Sequence, residues 1–275
     1  MTISIEADGL GECNMLKRIL TSVIGLIVFF AALLSGNVVF SIAVAIVTLG
    51  MLYEMYRAVN AGIFLSVMGI ISGVVLFAGA TLGWLLPALL FSMMLFMTAS
   101  VFLHGKVDYK TVYSSAFVGW YVVLFMMCIP MLNREYSIFA TILVFLCAWV
   151  TDTGAYFAGY FFGKHKLIEK VSPKKTVEGA IGGVCMCALG CGIYALILQY
   201  GFHEPVSYMK FVLLGVVASI VSQIGDLVAS CIKRDSGVKD FGRIFPGHGG
   251  ILDRFDSVLF VAPLVYFFVK FIGLS

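Results

Sequence analysis

Apolar runs of about 17–25 residues follow one another along almost the whole chain, each long enough to cross a hydrocarbon core about 30 Å thick. A soluble domain carries roughly 25% charged residues. Here the share is 12%, with 61% hydrophobic residues and a mean hydropathy of +1.04 over 275 residues. Those values exclude a compact water-soluble core and predict an all-α, polytopic integral membrane protein. Nine spans are expected, near residues 19–35, 38–53, 63–80, 84–103, 112–132, 138–162, 177–199, 211–230 and 257–272. Short breaks such as GN after the first and TLG after the third predict tight antiparallel helical hairpins.

Charge placement sets the expected orientation. With the N-terminus in the cytosol, all 18 basic residues except Arg134, Lys210 and Lys270 fall inside or at the inner boundary. That agrees with the excess of Lys and Arg on the cytoplasmic side of membrane proteins, and the reverse orientation inverts the ratio. A net charge of +3 is too small to suggest a nucleic-acid partner. The seven cysteines are odd in number and sit mostly in apolar runs, which argues against a disulfide framework. Cys185, Cys187 and Cys191, in GGVCMCALGCG, read as small residues that let helices approach rather than as a metal cluster. Residues 1–15 form a polar, acidic tail without the basic start of a signal peptide. It reads as an expression remnant or an extended start upstream of Met15.

One block interrupts the oil. CIKRDSGVKDFGRIFPGHGGILDRFDS, residues 231–257, is dense in Lys, Arg, Asp and Gly. Carboxylates in or beside apolar spans are expensive and usually have a purpose: Asp152, Glu178, Asp226, Asp253 and Asp256, all placed toward one membrane face. Asp253 and Asp256 are three apart, so a helix starting there would hold both on one face, at its positive end. With Asp226 from the preceding helix they make an oxygen-donor set for a hard divalent cation such as Mg²⁺, which shares its ligands with substrate phosphates. His248 has no partner at zinc-ligand spacing.

The same block supplies what a polyphosphate needs. Lys233, Arg234, Lys239, Arg243 and Arg254 bring positive charge, Arg being able to bind phosphate in two-pronged fashion. Gly242, Gly247, Gly249 and Gly250 let backbone N–H groups approach an anion. No Walker A or GxGxxG pattern is present. A second polar insert, KLIEKVSPKKTVEG, places Lys174 and Lys175 just before a helix that begins at Thr176, a plausible phosphate seat.

Residues 230–256, SCIKRDSGVKDFGRIFPGHGGILDRFD, resemble the signature of phosphatidate cytidylyltransferases (CDP-diacylglycerol synthases). The matching positions are Ser230, Lys233, Arg234, Lys239, Asp240, Gly242, Phe245, Pro246, His248, Gly249, Gly250, Asp253, Arg254, Phe255 and Asp256. SPKKTVEG (172–179) and QIGDL (223–227) are similar to further stretches of that family. The resemblance covers the half from Asp152 onward and divides the chain into the tail, a motif-free transmembrane region at 16–137 and a catalytic transmembrane domain at 138–275.

The resemblance implies that CTP and phosphatidate give CDP-diacylglycerol and pyrophosphate, with Mg²⁺ required. Asp226, Asp253 and Asp256 would hold one or two divalent ions, a monovalent ion being a further possibility. Lys233, Arg234, Lys239 and Arg254 would neutralise the triphosphate. Lys174 and Lys175 would seat the lipid phosphate, and Asp152 and Glu178 would orient those cations. Asp240 belongs to the substrate-binding set, and His248 is a hydrogen bonder or proton carrier, or shapes its loop. Two rivals are a CDP-alcohol phosphotransferase, whose Asp-x-x-Asp-Gly start is broken here by Ser257, and an ion-coupled transporter, which would need an inverted repeat and charges near the midplane. GAIGG and GGVCMCALG offer small faces for a homodimer contact or for internal packing.

Overall fold

The computed structural model describes residues 23–242, 244 and 249–274. The expected tail, Lys17, Arg18, Arg243, Phe245, Pro246, Gly247 and His248 lie outside those residues. Within them the chain runs as α1 (Val23–Leu34), α2 (Asn37–Ala58), α3 (Gly62–Leu82), α4 (Leu85–Phe102), α5 (Tyr109–Met126), α6 (Cys128–Glu135) and α7 (Ile138–Phe162). A hairpin of β1 (Lys166–Ile168) and β2 (Ser172–Thr176) follows, then α8 (Val177–Gly201), α9 (Tyr208–Asp235) and α10 (Leu252–Phe271). Residues 19–22 of the first expected span lie outside the described residues; the rest of the nine expected spans fall almost wholly on helices. Seven helical segments among the described residues are long and apolar enough to cross a membrane, α5 and α6 counting together as one segment, Tyr109–Glu135. The outside is apolar too: Ile63 is 86% exposed and Met209 78%, an exterior suited to lipid rather than water.

Local chemistry explains where the helices depart from the hydropathy reading. The fifth span begins at Tyr109, three residues early, because the Asp108 carboxylate caps it by accepting from the Lys110 N–H at 3.1 Å. It breaks between α5 and α6 because Pro130 has no N–H to return to Met126 and crowds that carbonyl. α9 extends to Asp235, past its apolar stretch, where Lys233 and Arg234 sit favourably in the last turn. Where the sequence predicts only a turn at Ser172-Pro173, the structure has a hairpin. It pairs antiparallel, Lys166 with Thr176 and Ile168 with Ser172.

Close approach of α7, α8, α9 and α10 depends on small residues. A Cβ on Gly182 would collide with the Ala158 side chain, one on Gly154 with Met186, and one on Gly215 with the Cys187 carbonyl. The small faces of GAIGG are therefore used within the chain. Cys187 and Cys191 do pack together, but their third neighbour is Cys147 of α7; Cys185 is exposed. In the N-terminal half, Trp120 of α5 donates to Ser92 of α4 at 2.7 Å, and Ser92 also pairs with Ser72 of α3. Such buried side-chain bonds join helices where no hydrophobic force separates protein from lipid.

Gly182→Leu should therefore lower the thermal denaturation midpoint of the detergent-solubilised protein, a loss of about 1–3 kcal/mol from overpacking. Gly201→Leu, where nothing lies within 4 Å of the added Cβ, should leave the midpoint nearly unchanged.

Candidate active site

The hairpin end of the bundle collects the polar side chains. At α8 the Thr176 hydroxyl caps the helix by accepting from the Gly179 N–H at 3.1 Å. Glu178 turns back to the segment after α7: its Oε2 accepts from the Lys164 and His165 N–H groups at 3.0 and 3.2 Å, and its Oε1 lies 2.6 Å from His165 Nδ1. It holds the entry to β1 rather than a lysine. Lys166 Nζ donates to the Pro173 carbonyl at 2.6 Å across the hairpin. Lys174 is exposed, whereas Lys175 points inward and pairs with Asp226 of α9 at 2.6 Å.

Three carboxylates share this end. Asp152 of α7 accepts from the Ser257 hydroxyl, 3.2 Å to one oxygen and 3.1 Å to the other. It lies in the fields of Asp226, Lys175 and Arg254. Asp256 of α10 accepts from the Ser257 N–H at 2.8 Å and lies in the fields of Asp226, Lys233 and Asp152. So the trio that three different helices bring into mutual electrostatic contact is Asp152, Asp226 and Asp256. Beside two of its members, on the same helices, the buried hydroxyls of Thr151 and Ser222 have no hydrogen-bond partner among the described residues.

Asp253, expected in that trio, is occupied elsewhere. Its Oδ1 takes Lys233 Nζ at 2.9 Å, and its Oδ2 accepts from the Phe241 and Gly250 N–H groups at 2.9 and 3.0 Å. Three residues along a helix leave two side chains about 60° apart round the axis. That angle is enough for Asp253 to brace the loop while Asp256 faces the other carboxylates. Lys233 joins the two, bonded to one and within the field of the other, with its ammonium also 5.3 Å from the centre of the Phe241 ring. Arg234 donates to the Val171 carbonyl at 3.3 Å, tying the end of α9 to the hairpin. Lys239 and Asp240 are exposed, as is Arg254.

A cavity of about 570 Å³ opens between α7, the hairpin, α8 and α9. Asp152, Asp226, Lys166, Lys174 and Lys175 line it, with Tyr156 and Tyr160 on its α7 wall. A second cavity of about 490 Å³ lies between α2 and α3 near Arg134; it has no carboxylate in its lining.

Three contributors escaped the sequence reading. Ser257 positions Asp152. Gln223 donates to the Ala180 carbonyl at 3.2 Å and fixes α9 against α8 beside Asp226. Glu54 of α2, 2% exposed, accepts from the Ile251 and Leu252 N–H groups at 3.0 and 2.9 Å. Glu54 had a signal, being a carboxylate inside an apolar run, and Gln223 opens the QIGDL stretch.

Residues 16–272 match the model of the Cytidylyltransferase family, so the likeness extends through the motif-free first half as well. Curated relatives named phosphatidate cytidylyltransferase include one from Staphylococcus aureus, 39% identical over 265 residues, and one from Staphylococcus saprophyticus, 38% identical over 266. Each alignment covers 91% of this chain and 97% of the relative. One from Bacillus subtilis is 34% identical over 277 residues, covering 92% and 97%. With a match of this extent over a site of this composition, the chain belongs to the cytidylyltransferase family.

Proposed function

We propose that this protein is a phosphatidate cytidylyltransferase, converting CTP and phosphatidate to CDP-diacylglycerol and pyrophosphate. The observation that carries the reading is that Asp152, Asp226 and Asp256, from three helices, lie in one another's fields, with Lys175 paired to Asp226 and Lys233 in the field of Asp256, and with Asp152, Asp226 and Lys175 lining a cavity. A phosphate oxygen of the lipid attacks the α-phosphorus of CTP. The new P–O bond forms as the bond to the bridging β-phosphate oxygen breaks, and pyrophosphate leaves in line. Such transfers depend on positioning and charge neutralisation and need no protein nucleophile.

The donor set fits a hard divalent cation. Every candidate ligand is an oxygen, as Mg²⁺ requires, whereas the Cys147, Cys187 and Cys191 thiols form a separate, soft group. Asp152, Asp226 and Asp256 would hold the ion, with Asp253 bracing the loop behind them. When bound, the ion neutralises triphosphate oxygens and the charge of the leaving group. The protein's own cations add to this. Lys233, Arg234, Lys239 and Arg254 would neutralise the triphosphate, while Lys174 and Lys175, which line the cavity, would take the lipid phosphate. Tyr156 and Tyr160, exposed on α7, suit the aromatic belt at a membrane interface. The distribution of basic residues supports a cytosolic N-terminus, with the site facing the cytosol of a bacterial inner membrane.

Purified protein given CTP, phosphatidate and Mg²⁺ should release pyrophosphate, and CDP-diacylglycerol should not replace CTP as the nucleotide substrate. Asp226→Asn and Asp256→Asn should each cut release about 100-fold or more, the scale of losing one electrostatic contributor to such a transition state. Near-normal turnover in both would remove the site assignment. Asp253→Asn should also cost about 3 kcal/mol of stability, read as a lower melting temperature, because it leaves the Lys233 ammonium without its charge partner. A cysteine placed at Lys174 in a cysteine-free background should react with an impermeant maleimide in inverted vesicles and not in right-side-out ones.

A further inference from the structure

α10 begins without a cap of its own. The residue at its cap position is Ile251, which offers no side-chain acceptor, where Ser, Thr, Asp or Asn is usual. The missing acceptor comes from far away in sequence. Both Glu54 carboxylate oxygens reach from α2 to the Ile251 and Leu252 N–H groups. A carboxylate at a helix N-terminus satisfies orphan donors and lies at the positive end of the helix dipole. The loop is shaped round this group, since a Cβ on either Gly242 or Gly250 would run into the Glu54 carboxylate.

Asp253 grips the same loop from the other side, through the Phe241 and Gly250 N–H groups. Two carboxylates, one from each half of the chain, thus fix the two ends of the glycine-rich segment and the first turn of α10. Asp256 lies one turn further along that helix. Burying Glu54 in an apolar span is costly, and its described bonds all go to backbone donors of this turn rather than to a cation.

From this we infer that Glu54 is a positioning residue for the divalent-cation and triphosphate site, and that α2 sets the register of Asp256. The inference rests on the cytidylyltransferase reading above and adds a task for the N-terminal helices. Glu54→Gln keeps the shape but presents an NH₂ group to one of the two backbone N–H donors. The expected result is a protein of normal size-exclusion profile whose Mn²⁺ dissociation constant, read by electron paramagnetic resonance, rises about tenfold, about 1.4 kcal/mol. Amide exchange across residues 249–253 should quicken, and the KM for phosphatidate should stay within about twofold, a change of about 0.4 kcal/mol at most. Glu54→Asp should fall between the two. Gly242→Ala, which crowds the carboxylate while leaving Glu54 in place, should weaken Mn²⁺ in the same direction, and it decides the matter if Glu54→Gln fails to fold. A folded Glu54→Gln or Gly242→Ala protein with unchanged Mn²⁺ affinity overturns the inference and leaves the functional reading standing. A wild type that binds neither Mn²⁺ nor CTP overturns both.

Discussion

Like charges held close together at the edge of a membrane repel, and the site depends on how that repulsion is managed. Asp152, Asp226 and Asp256 come from three separate helices and cannot relax apart without unpacking the bundle. The structure offsets that repulsion with fixed cations: Lys175 on Asp226, and Lys233 within the field of Asp256. The offset is incomplete, because Lys233 is itself paired with Asp253, so four carboxylates are set against Lys175, Lys233 and the field of Arg254.

The scaffold exists to bring those charges together. Glycines along α7, α8 and α9 let the helices meet at distances that any larger residue would prevent, which places Asp152 and Asp226 on adjacent walls. The hairpin then closes one side, anchored by Glu178 at its entry and by Arg234 from α9. Backbone groups near lipid must be satisfied inside the protein. Around the start of α10 the Phe241, Gly250, Ile251 and Leu252 N–H groups meet that requirement through the Asp253 and Glu54 carboxylates.

The two halves of the chain differ in how openly they declare themselves. The C-terminal half carries charge, glycine and proline in a dense pattern. The N-terminal half shows only apolar helices, yet it supplies the acceptor that starts α10, and the family likeness runs through it. Its contribution is one side chain in a long hydrophobic run.

Hydropathy alone determined the membrane class and where the long apolar helices lie, because each depends on composition within a window about the length of one span. The polar block was readable too, since so many ionic groups beside lipid have few other uses. Which carboxylates meet was not readable. Asp253 and Asp256 look equivalent in sequence; only the packed helix shows that the angle between them sends one to the loop and the other to Asp152 and Asp226. The clasp from Glu54 to Ile251 and Leu252 spans most of the chain, and no local pattern encodes a contact between residues so far apart. Those choices belong to the tertiary structure because they depend on how rigid helices rotate and approach, which is set by packing over the whole bundle rather than by any one segment.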